Sequence, residues 1–300
     1  MHNASYKYKT KQIKMNIRSI SCLALLLGAA AGLSAQKAIT PPQGGKQISD
    51  ELIGIFFEDI SSAADGGLYG ELIQNGSFEY NPAERDGWGP GTAWKVQRPG
   101  HSLGLLEVKM TGGLNANNPT YMRLNTERVK EYRDYRGWKG FGIQNDGFDG
   151  ISVKGGQKYN FSIFMRNPED GTKQVRISLI EQQQGFPPKD PKLLADATID
   201  VSSKEWKEYK LVLTPDTCSQ KAALQILSLT TGALDIDMVS LMPQDTYKGH
   251  GLRKDLAQAL ADLKPKFMRF PGGCVVHGGG DGFWDSYRWK TTIGPKEPTP

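Results

Sequence analysis

Two adjacent carboxylic acids, Glu58 and Asp59, directly follow the unbroken apolar run Leu52–Phe57. A run of this kind is typical of a strand buried on both faces, as in parallel sheets and barrels. The active sites of α/β enzymes form at the carboxyl ends of such strands, where a carboxylate can accept hydrogen bonds or exchange protons. Because side chains alternate along a strand, only one of the two acids should point into a site. The alternative is a strand that merely ends in solvent.

A second block, Lys266–Phe270, is predicted to be a strand that ends in the sharp turn Pro271-Gly272-Gly273. A helix is predicted just before it, over 251–263, because apolar residues recur there at spacings of three and four and Pro265 ends the pattern. The apolar positions are Leu252, Leu256, Ala259, Leu260 and Leu263. A helix followed by a strand is the repeating order of a βα barrel.

Three stretches together resemble the α-L-arabinofuranosidases of glycoside hydrolase family 51: Leu52–Glu79, Lys266–Cys274 and Trp289–Pro295. The resemblance implies a (β/α)8 barrel and a retaining mechanism with two glutamates, one the general acid/base and the other the nucleophile. In the family both glutamates lie on later barrel strands, which we expect beyond residue 300, so no catalytic residue is assigned here. A barrel needs about 250 residues. We therefore interpret the chain as an N-terminal fragment with an incomplete barrel, and no cofactor or metal is expected.

The same resemblance implies three substrate-binding residues, which are Glu58, Arg269 and Cys274. Glu58 is expected to accept hydrogen bonds from arabinose hydroxyls, with a structural salt bridge as its alternative role and Asp59 as the competing candidate. Arg269 is expected to hold neighbouring carboxylates, and Cys274 to lie near the sugar or else to be a small buried side chain. The sequence departs from the family at Val275-Val276-His277, where the family has an aromatic residue, a valine and an acid. His277 could be a pH-sensitive contact, but a histidine in a loop is more often solvated, and that is our expectation.

The segment between the two blocks is predicted to be an antiparallel β-sandwich, because short stretches with period-two alternation are separated by turn residues. These stretches are Tyr159–Met165, Val175–Ile180, Glu208–Leu213, Ala223–Leu227 and Leu234–Val239. The segment resembles the CenC-type carbohydrate-binding modules, which are jelly-roll, galactose-binding-like sandwiches, and the resemblance is carried by Gly140–Gly142, Gly147–Ile151, Lys158–Tyr159 and Leu234–Leu241. Aromatic residues in it are candidate sugar-stacking platforms unless they belong to the core. They are Trp88, Trp94, Tyr121, Trp138 and Phe148.

The predicted fold is therefore mostly β, with a β-sandwich inserted in the first strands of an incomplete (β/α)8 barrel. The predicted domains are a secretory signal over 1–35, the first strand region of the barrel over 36–79, the sandwich over 80–242 and the resumed, truncated barrel over 243–300. The implied function is the N-terminal portion of a secreted enzyme that removes terminal α-L-arabinofuranosyl residues from plant cell-wall polysaccharides. Arabinose-containing polysaccharides or oligosaccharides are then its partners. The alternative is a non-catalytic carbohydrate-binding protein.

The first residues have the composition of an export signal. A basic stretch precedes the apolar run Cys22–Leu33 and the small residues Ser34-Ala35, so cleavage is expected near Ala35, with Met15 as an alternative start. The apolar run is too short for a comfortable membrane span. The formal charge of +5 lies largely in this leader, so no nucleic-acid partner is indicated.

After cleavage two cysteines remain, Cys218 and Cys274. A disulfide between them is one interpretation for an exported protein. Two unrelated buried thiols are the alternative that we favour.

Overall fold

The computed structural model describes residues 44–83, 85–130, 138–183 and 191–273 of the 300-residue chain. All of its regular elements lie within the unit Asp50–Pro300. The helix of this part of the chain is α1 (Lys254–Asp262). The strands are β1 (Ile55–Phe56), β2 (Trp94–Gln97), β3 (Leu103–Lys109), β4 (Tyr121–Arg128), β5 (Phe141–Asn145), β6 (Ile151–Val153), β7 (Tyr159–Arg166), β8 (Lys173–Glu181), β9 (Lys192–Val201), β10 (Lys207–Leu213), β11 (Ser219–Ser228), β12 (Gly232–Pro243) and β13 (Met268–Arg269).

Two antiparallel sheets account for most of these strands. One has five strands in the order β10-β7-β12-β4-β3, and the other has six, in the order β2-β5-β11-β8-β9 with β6 also paired to β11. Alternate residues from both sheets form one apolar cluster, which includes Met122, Ile163 and Ile236 from the first sheet and Ile143 and Ile226 from the second. Two sheets that bury such alternating residues against each other form a sandwich. The prediction of a mostly β chain with a β-sandwich is confirmed, and each alternating stretch quoted above lies in one of its strands.

The sandwich strands lie, along the chain, between β1 and β13, which pair with each other in parallel. Backbone hydrogen bonds extend this ladder at both ends, from Lys266 N–H to Ile53 C=O at 2.9 Å and from Asp59 N–H to Pro271 C=O at 2.8 Å. Parallel pairing of this kind is the arrangement of neighbouring strands in a βα barrel.

The prediction that the Leu52–Phe57 strand is buried on both faces is wrong for the described residues. Leu52 and Ile53 are about two-thirds exposed, and Phe56 is half exposed. The physical reason is that β1 has a single described neighbour, β13, and no second layer of the described residues covers either face.

The apolar face of helix α1 is also largely exposed among the described residues. The helix forms where the three- and four-residue spacing predicted it, but Ala257 is its buried residue, while Leu256 and Leu263 stay exposed. The predicted apolar face therefore has no partner among the described residues. A barrel helix would bury such a face against the sheet that it covers.

The segment that leads from β1 into the sandwich is part of the sandwich structure. Ile73 and Phe78 are buried in its core. The Glu71 carboxylate accepts hydrogen bonds from Leu241 N–H at 2.9 Å and from the Ser240 hydroxyl at 2.6 Å. Val239 N–H also donates to the carbonyl of Gly76, at 2.8 Å. These contacts cross the predicted boundary at residue 79, and that boundary stays a prediction.

Two buried acids on β12 have opposite surroundings. Asp235 is fully buried and accepts hydrogen bonds from Arg123 Nε at 2.6 Å and Arg166 Nε at 2.8 Å. Asp237, also fully buried, has no cationic partner among the residues that the structure describes. Burial and then the Glu79 carboxylate raise the pKa of Asp237 to about 8, although hydrogen bonds from neighbouring N–H groups oppose the shift.

Several expectations fall partly or wholly on residues that the structure does not describe: the signal segment, most of region 36–49, Cys274 and His277. Among the described residues no helix is long and apolar enough to cross a membrane. Cys218 is exposed, and its Sγ accepts a hydrogen bond from Gly155 N–H at 3.3 Å. The expectation of a buried thiol is therefore wrong for Cys218.

Candidate functional site

Glu58 lies where the carboxyl ends of β1 and β13 meet. Because the two strands are parallel, these ends lie at the same edge, and Glu58 packs against the turn after β13. A Cβ atom added to Gly272, whose φ is +137°, would lie 3.3 Å from Glu58 Cγ. A glycine at this position therefore permits the close approach of the turn to the Glu58 side chain.

Arg269 shares a face of the two-stranded unit with Glu58. It is the register partner of Phe56, two residues before Glu58, and its guanidinium carbon lies 4.5 Å from the centre of the Phe56 ring. On the opposite face the rings of Phe57 and Phe270 stack with centroids 5.5 Å apart. Alternation along the extended backbone thus brings a carboxylate and a guanidinium together on one side. No ion pair of Arg269 is present among the described residues, so the expectation that it holds carboxylates has no described partner.

Asp59 stabilises the loop that follows β1 through a hydrogen bond to its backbone. Its Oδ1 accepts a hydrogen bond from Ala64 N–H at 3.0 Å, which closes the turn through Ser61 and Ser62. Both serines have positive φ values, 51° and 62°. Aspartate side chains in turns commonly accept such hydrogen bonds from nearby backbone N–H groups. The two acids therefore differ in their surroundings, since Asp59 is bonded to its own loop and Glu58 packs against the turn after β13.

The predicted stacking aromatics have mostly structural surroundings. Trp94 is buried against Phe78 and donates from Nε1 to the Asn75 carbonyl at 2.9 Å, so it is a core residue. Tyr121 is also buried. The Arg166 guanidinium lies over the Tyr121 ring at 5.2 Å and over the Trp206 ring at 4.7 Å. The sequence did not predict this arrangement, because Trp206 was not among the candidate stacking residues.

The other three candidates are half-buried. Trp88 stacks on Tyr80 with centroids 4.1 Å apart. Trp138 lies under the Arg176 guanidinium at 4.5 Å. Phe148 packs against Gly66, where an added Cβ would collide with the Phe148 ring.

A row of polar side chains crosses the outer face of the six-stranded sheet and was also missed. Strand register places five residues side by side, namely Lys95, Gln144, Gln225, Ser178 and Asp196. Gln225 and Ser178 are buried, yet Gln225 Oε1 and Ser178 Oγ have no hydrogen-bond partner within the described ranges. The sequence signal was a polar residue within an otherwise apolar strand, as in Ala222–Leu227.

Comparison with known proteins gives consistent matches. A family model described as the alpha-L-arabinofuranosidase 1 domain matches residues 259–300. An extracellular exo-alpha-L-arabinofuranosidase of Streptomyces chartreusis is 36% identical over 271 residues, which cover 86% of this chain and 29% of that protein. Alpha-L-arabinofuranosidase 1 of Arabidopsis thaliana is 31% identical over 301 residues, covering 95% of this chain and 42% of the relative.

A solved structure adds the fold. An arabinose-bound GH51 α-L-arabinofuranosidase superposes with a TM-score of 0.64 and 25% identity, over 81% of this chain and 37% of the other. The chain spans less than half the length of each of these relatives. By these matches it is glycoside-hydrolase-like over most of its length. More particularly, it is similar to α-L-arabinofuranosidases, among them one of glycoside hydrolase family 51.

Proposed function

We propose that this chain is the N-terminal portion of a secreted, retaining α-L-arabinofuranosidase that removes non-reducing terminal arabinofuranosyl residues from plant cell-wall polysaccharides. The observation that carries the proposal is the placement of Glu58 and Arg269 on one face, at the carboxyl ends of two parallel strands. In βα barrels this edge is where substrates bind. The two catalytic glutamates are expected on barrel strands that follow residue 300.

In this proposal Glu58 binds the sugar and does not react with it. A carboxylate accepts two or more hydrogen bonds, so it fits the neighbouring hydroxyls of a furanose, and charge-assisted bonds of this kind are the stronger ones. Arg269 is proposed to orient the acids that surround the sugar, and Cys274 is proposed as a third substrate-binding residue. Glu58 is exposed in the described residues, as a side chain that meets a ligand must be.

The test is hydrolysis by a longer protein that contains this segment. We expect it to release L-arabinose from arabinoxylan and to cleave an aryl α-L-arabinofuranoside, with retention of anomeric configuration. An aryl β-D-xyloside serves as the matched control substrate. Cleavage of the xyloside alone, or inversion at the anomeric carbon, would refute the assignment.

The remaining parts of the proposal concern organisation and export. The sandwich is proposed to be a CenC-type carbohydrate-binding module inserted after the first barrel strand, with boundaries near 80 and 242. Cleavage of a signal near Ala35 is proposed to export the protein, and the extracellular Streptomyces relative supports this placement. Mass spectrometry of the secreted protein would identify its first residue.

A second candidate function, carbohydrate binding without catalysis, is favoured by the polar row on the six-stranded sheet. Buried amide and hydroxyl oxygens without partners are costly unless a ligand or water satisfies them. Retention of the 300-residue chain on insoluble arabinoxylan, reduced by Gln225→Ala, is the expected result. Equal retention of the variant and the parent chain would show that the polar row does not bind the polysaccharide.

A further inference from the structure

A cleft of about 800 Å³ separates helix α1 from the β5–β6 and β6–β7 turns of the sandwich. Clefts that bind small molecules usually enclose about 300–1,000 Å³. Its floor is the segment Tyr69–Leu72, which connects the β1 loop to the sandwich. The cleft is lined by residues outside the Glu58–Arg269 face, so it is a separate feature of the molecule.

The walls of this cleft are held in place by backbone and side-chain hydrogen bonds. Gly70 N–H donates to the Gly251 carbonyl at 2.8 Å, and Arg253 N–H donates to the Leu68 carbonyl at 2.8 Å. The half-buried Glu71 carboxylate also links this segment to β12, because it accepts a hydrogen bond from Leu241 N–H. A space bounded by fixed walls needs little ordering when a ligand binds, which favours affinity.

The charges of the cleft nearly cancel. Four carboxylates and three cations line it. Most of them are already paired, since Lys254 Nζ lies 2.9 Å from Asp245 and Arg253 Nη2 lies 2.7 Å from Asp255. An anionic polymer such as nucleic acid would need a clear excess of positive charge. The lining therefore suits a neutral ligand.

The groups left for a ligand include two aromatic rings, one amide and one ammonium group. Tyr69 is 41% exposed although it lines the cleft, and Phe148, which also lines it, is half-buried. On the sandwich wall, the side chains of Lys154 and Gln157 make no hydrogen bond within the described ranges. An aromatic ring with nearby amide and ammonium donors can stack on a sugar and bond its hydroxyls.

We propose that this cleft binds the main chain of the arabinose-bearing polysaccharide, as a neutral oligosaccharide subsite distinct from the Glu58–Arg269 face. The inference rests on the proposed function, because it takes the same polysaccharide as its ligand. Tyr69 follows Glu58 by eleven residues on the same connecting segment, so the cleft and the sugar-binding edge are joined by one short stretch of chain.

The test is isothermal titration of the 300-residue chain with a soluble arabinoxylan oligosaccharide. We expect Tyr69→Ala to weaken the Kd about tenfold, and the double variant Lys154→Ala/Gln157→Ala to do so as well. Gln174→Ala, an exposed glutamine on β8 outside the cleft, is the matched control and should keep the parent Kd.

Absence of binding by the parent chain would overturn the inference, and so would an unchanged Kd in both cleft variants. If Tyr69→Ala fails to fold in circular dichroism, the double variant decides, since Lys154 is exposed and Gln157 is not in the core. Isothermal titration measures binding and does not depend on hydrolysis. A longer enzyme that releases no arabinose would therefore refute the proposed function while leaving the binding result to stand by itself.

Discussion

Glu58 and Asp59 are neighbours in the sequence, but their surroundings separate their roles. Asp59 Oδ1 accepts a hydrogen bond from Ala64 N–H in the following turn. Glu58 faces the turn after β13, beside Gly272 and on the side of Arg269. Alternation along a strand let the sequence predict that only one acid faces the site. Which one does so depends on the local turn, and a hydrogen bond across five residues is difficult to predict from composition.

We predict that Glu58→Gln in a longer, active enzyme lowers kcat/KM by roughly ten- to a hundred-fold. The substitution keeps the shape of the side chain but removes its charge and turns one acceptor into a donor. Hydrogen bonds to charged groups contribute about 1.5–3 kcal/mol. Thermal stability should change little. Kinetics with an aryl α-L-arabinofuranoside and a melting curve measure the two effects together.

Asp59→Asn is the matched comparison for that experiment. It should lower turnover less, because its Oδ1 contacts the backbone of its own loop. A normal kcat/KM in Glu58→Gln, combined with a large drop in melting temperature, would make Glu58 a structural residue and contradict the site.

The Asp235 carboxylate should matter to stability far more than an exposed acid does. It is fully buried between two arginines, and Asp235→Asn leaves both without their anion. Breaking a buried pair costs about 3–5 kcal/mol, and we expect the lower end because the arginines keep some contact with water. Urea unfolding of the 300-residue chain measures this. Asp170→Asn, which removes an exposed ion pair with Lys204, should change the free energy of unfolding far less. Equal effects of the two substitutions would contradict the account.

At the scale of the elements, period-two alternation predicted the sandwich well, because each strand buries one face and its pattern needs no knowledge of its partners. The predictions that β1 is buried and that the apolar face of α1 is covered were not borne out among the described residues. An apolar run shows that a surface needs cover, but it does not say which residues supply that cover. The polar row on the six-stranded sheet is a similar case, since its members lie on five separate strands and meet only through the register.

We predict that the sandwich folds without the β1–β13 unit, and that residues 70–243 form a more stable domain than residues 80–242. The shorter segment lacks Phe78 and Ile73, which are buried in the core, and the Glu71 contacts to β12. Loss of one large buried apolar side chain alone typically costs about 2–5 kcal/mol. Circular dichroism and melting curves of both segments provide the measurement. A cooperative transition of equal stability in both would show that the 70–79 segment adds nothing, and no transition in either would show that the sandwich depends on the rest of the protein.

At the scale of the whole molecule, the parallel part is small in comparison with the sandwich. Its described strands are β1 and β13, and the apolar residues Leu52, Phe56, Phe267 and Phe270 remain at least about half exposed. In a closed barrel such residues would lie under further strands and helices. The chain also covers only 29% and 42% of the two relatives described above. Sugar binding and catalysis are therefore expected to need residues from different parts of a longer protein.

We predict that the 300-residue polypeptide alone does not hydrolyse an aryl α-L-arabinofuranoside, whereas a longer protein that includes it does. A retaining glycosidase needs two carboxyl groups about 5–5.5 Å apart, one as acid/base and one as nucleophile. In the described residues, the acids at the β1 edge are Glu58, which faces the turn after β13, and Asp59, whose Oδ1 is bonded to its own loop. A sugar bound by Glu58 and Arg269 would then meet no free nucleophile among the acids described at this edge. Both proteins should be assayed at equal concentration with the same substrate, and the 300-residue chain should be checked for a cooperative melting transition. Turnover by the folded 300-residue chain near the rate of the longer protein would place the chemistry within these residues and refute the division of roles argued for Glu58.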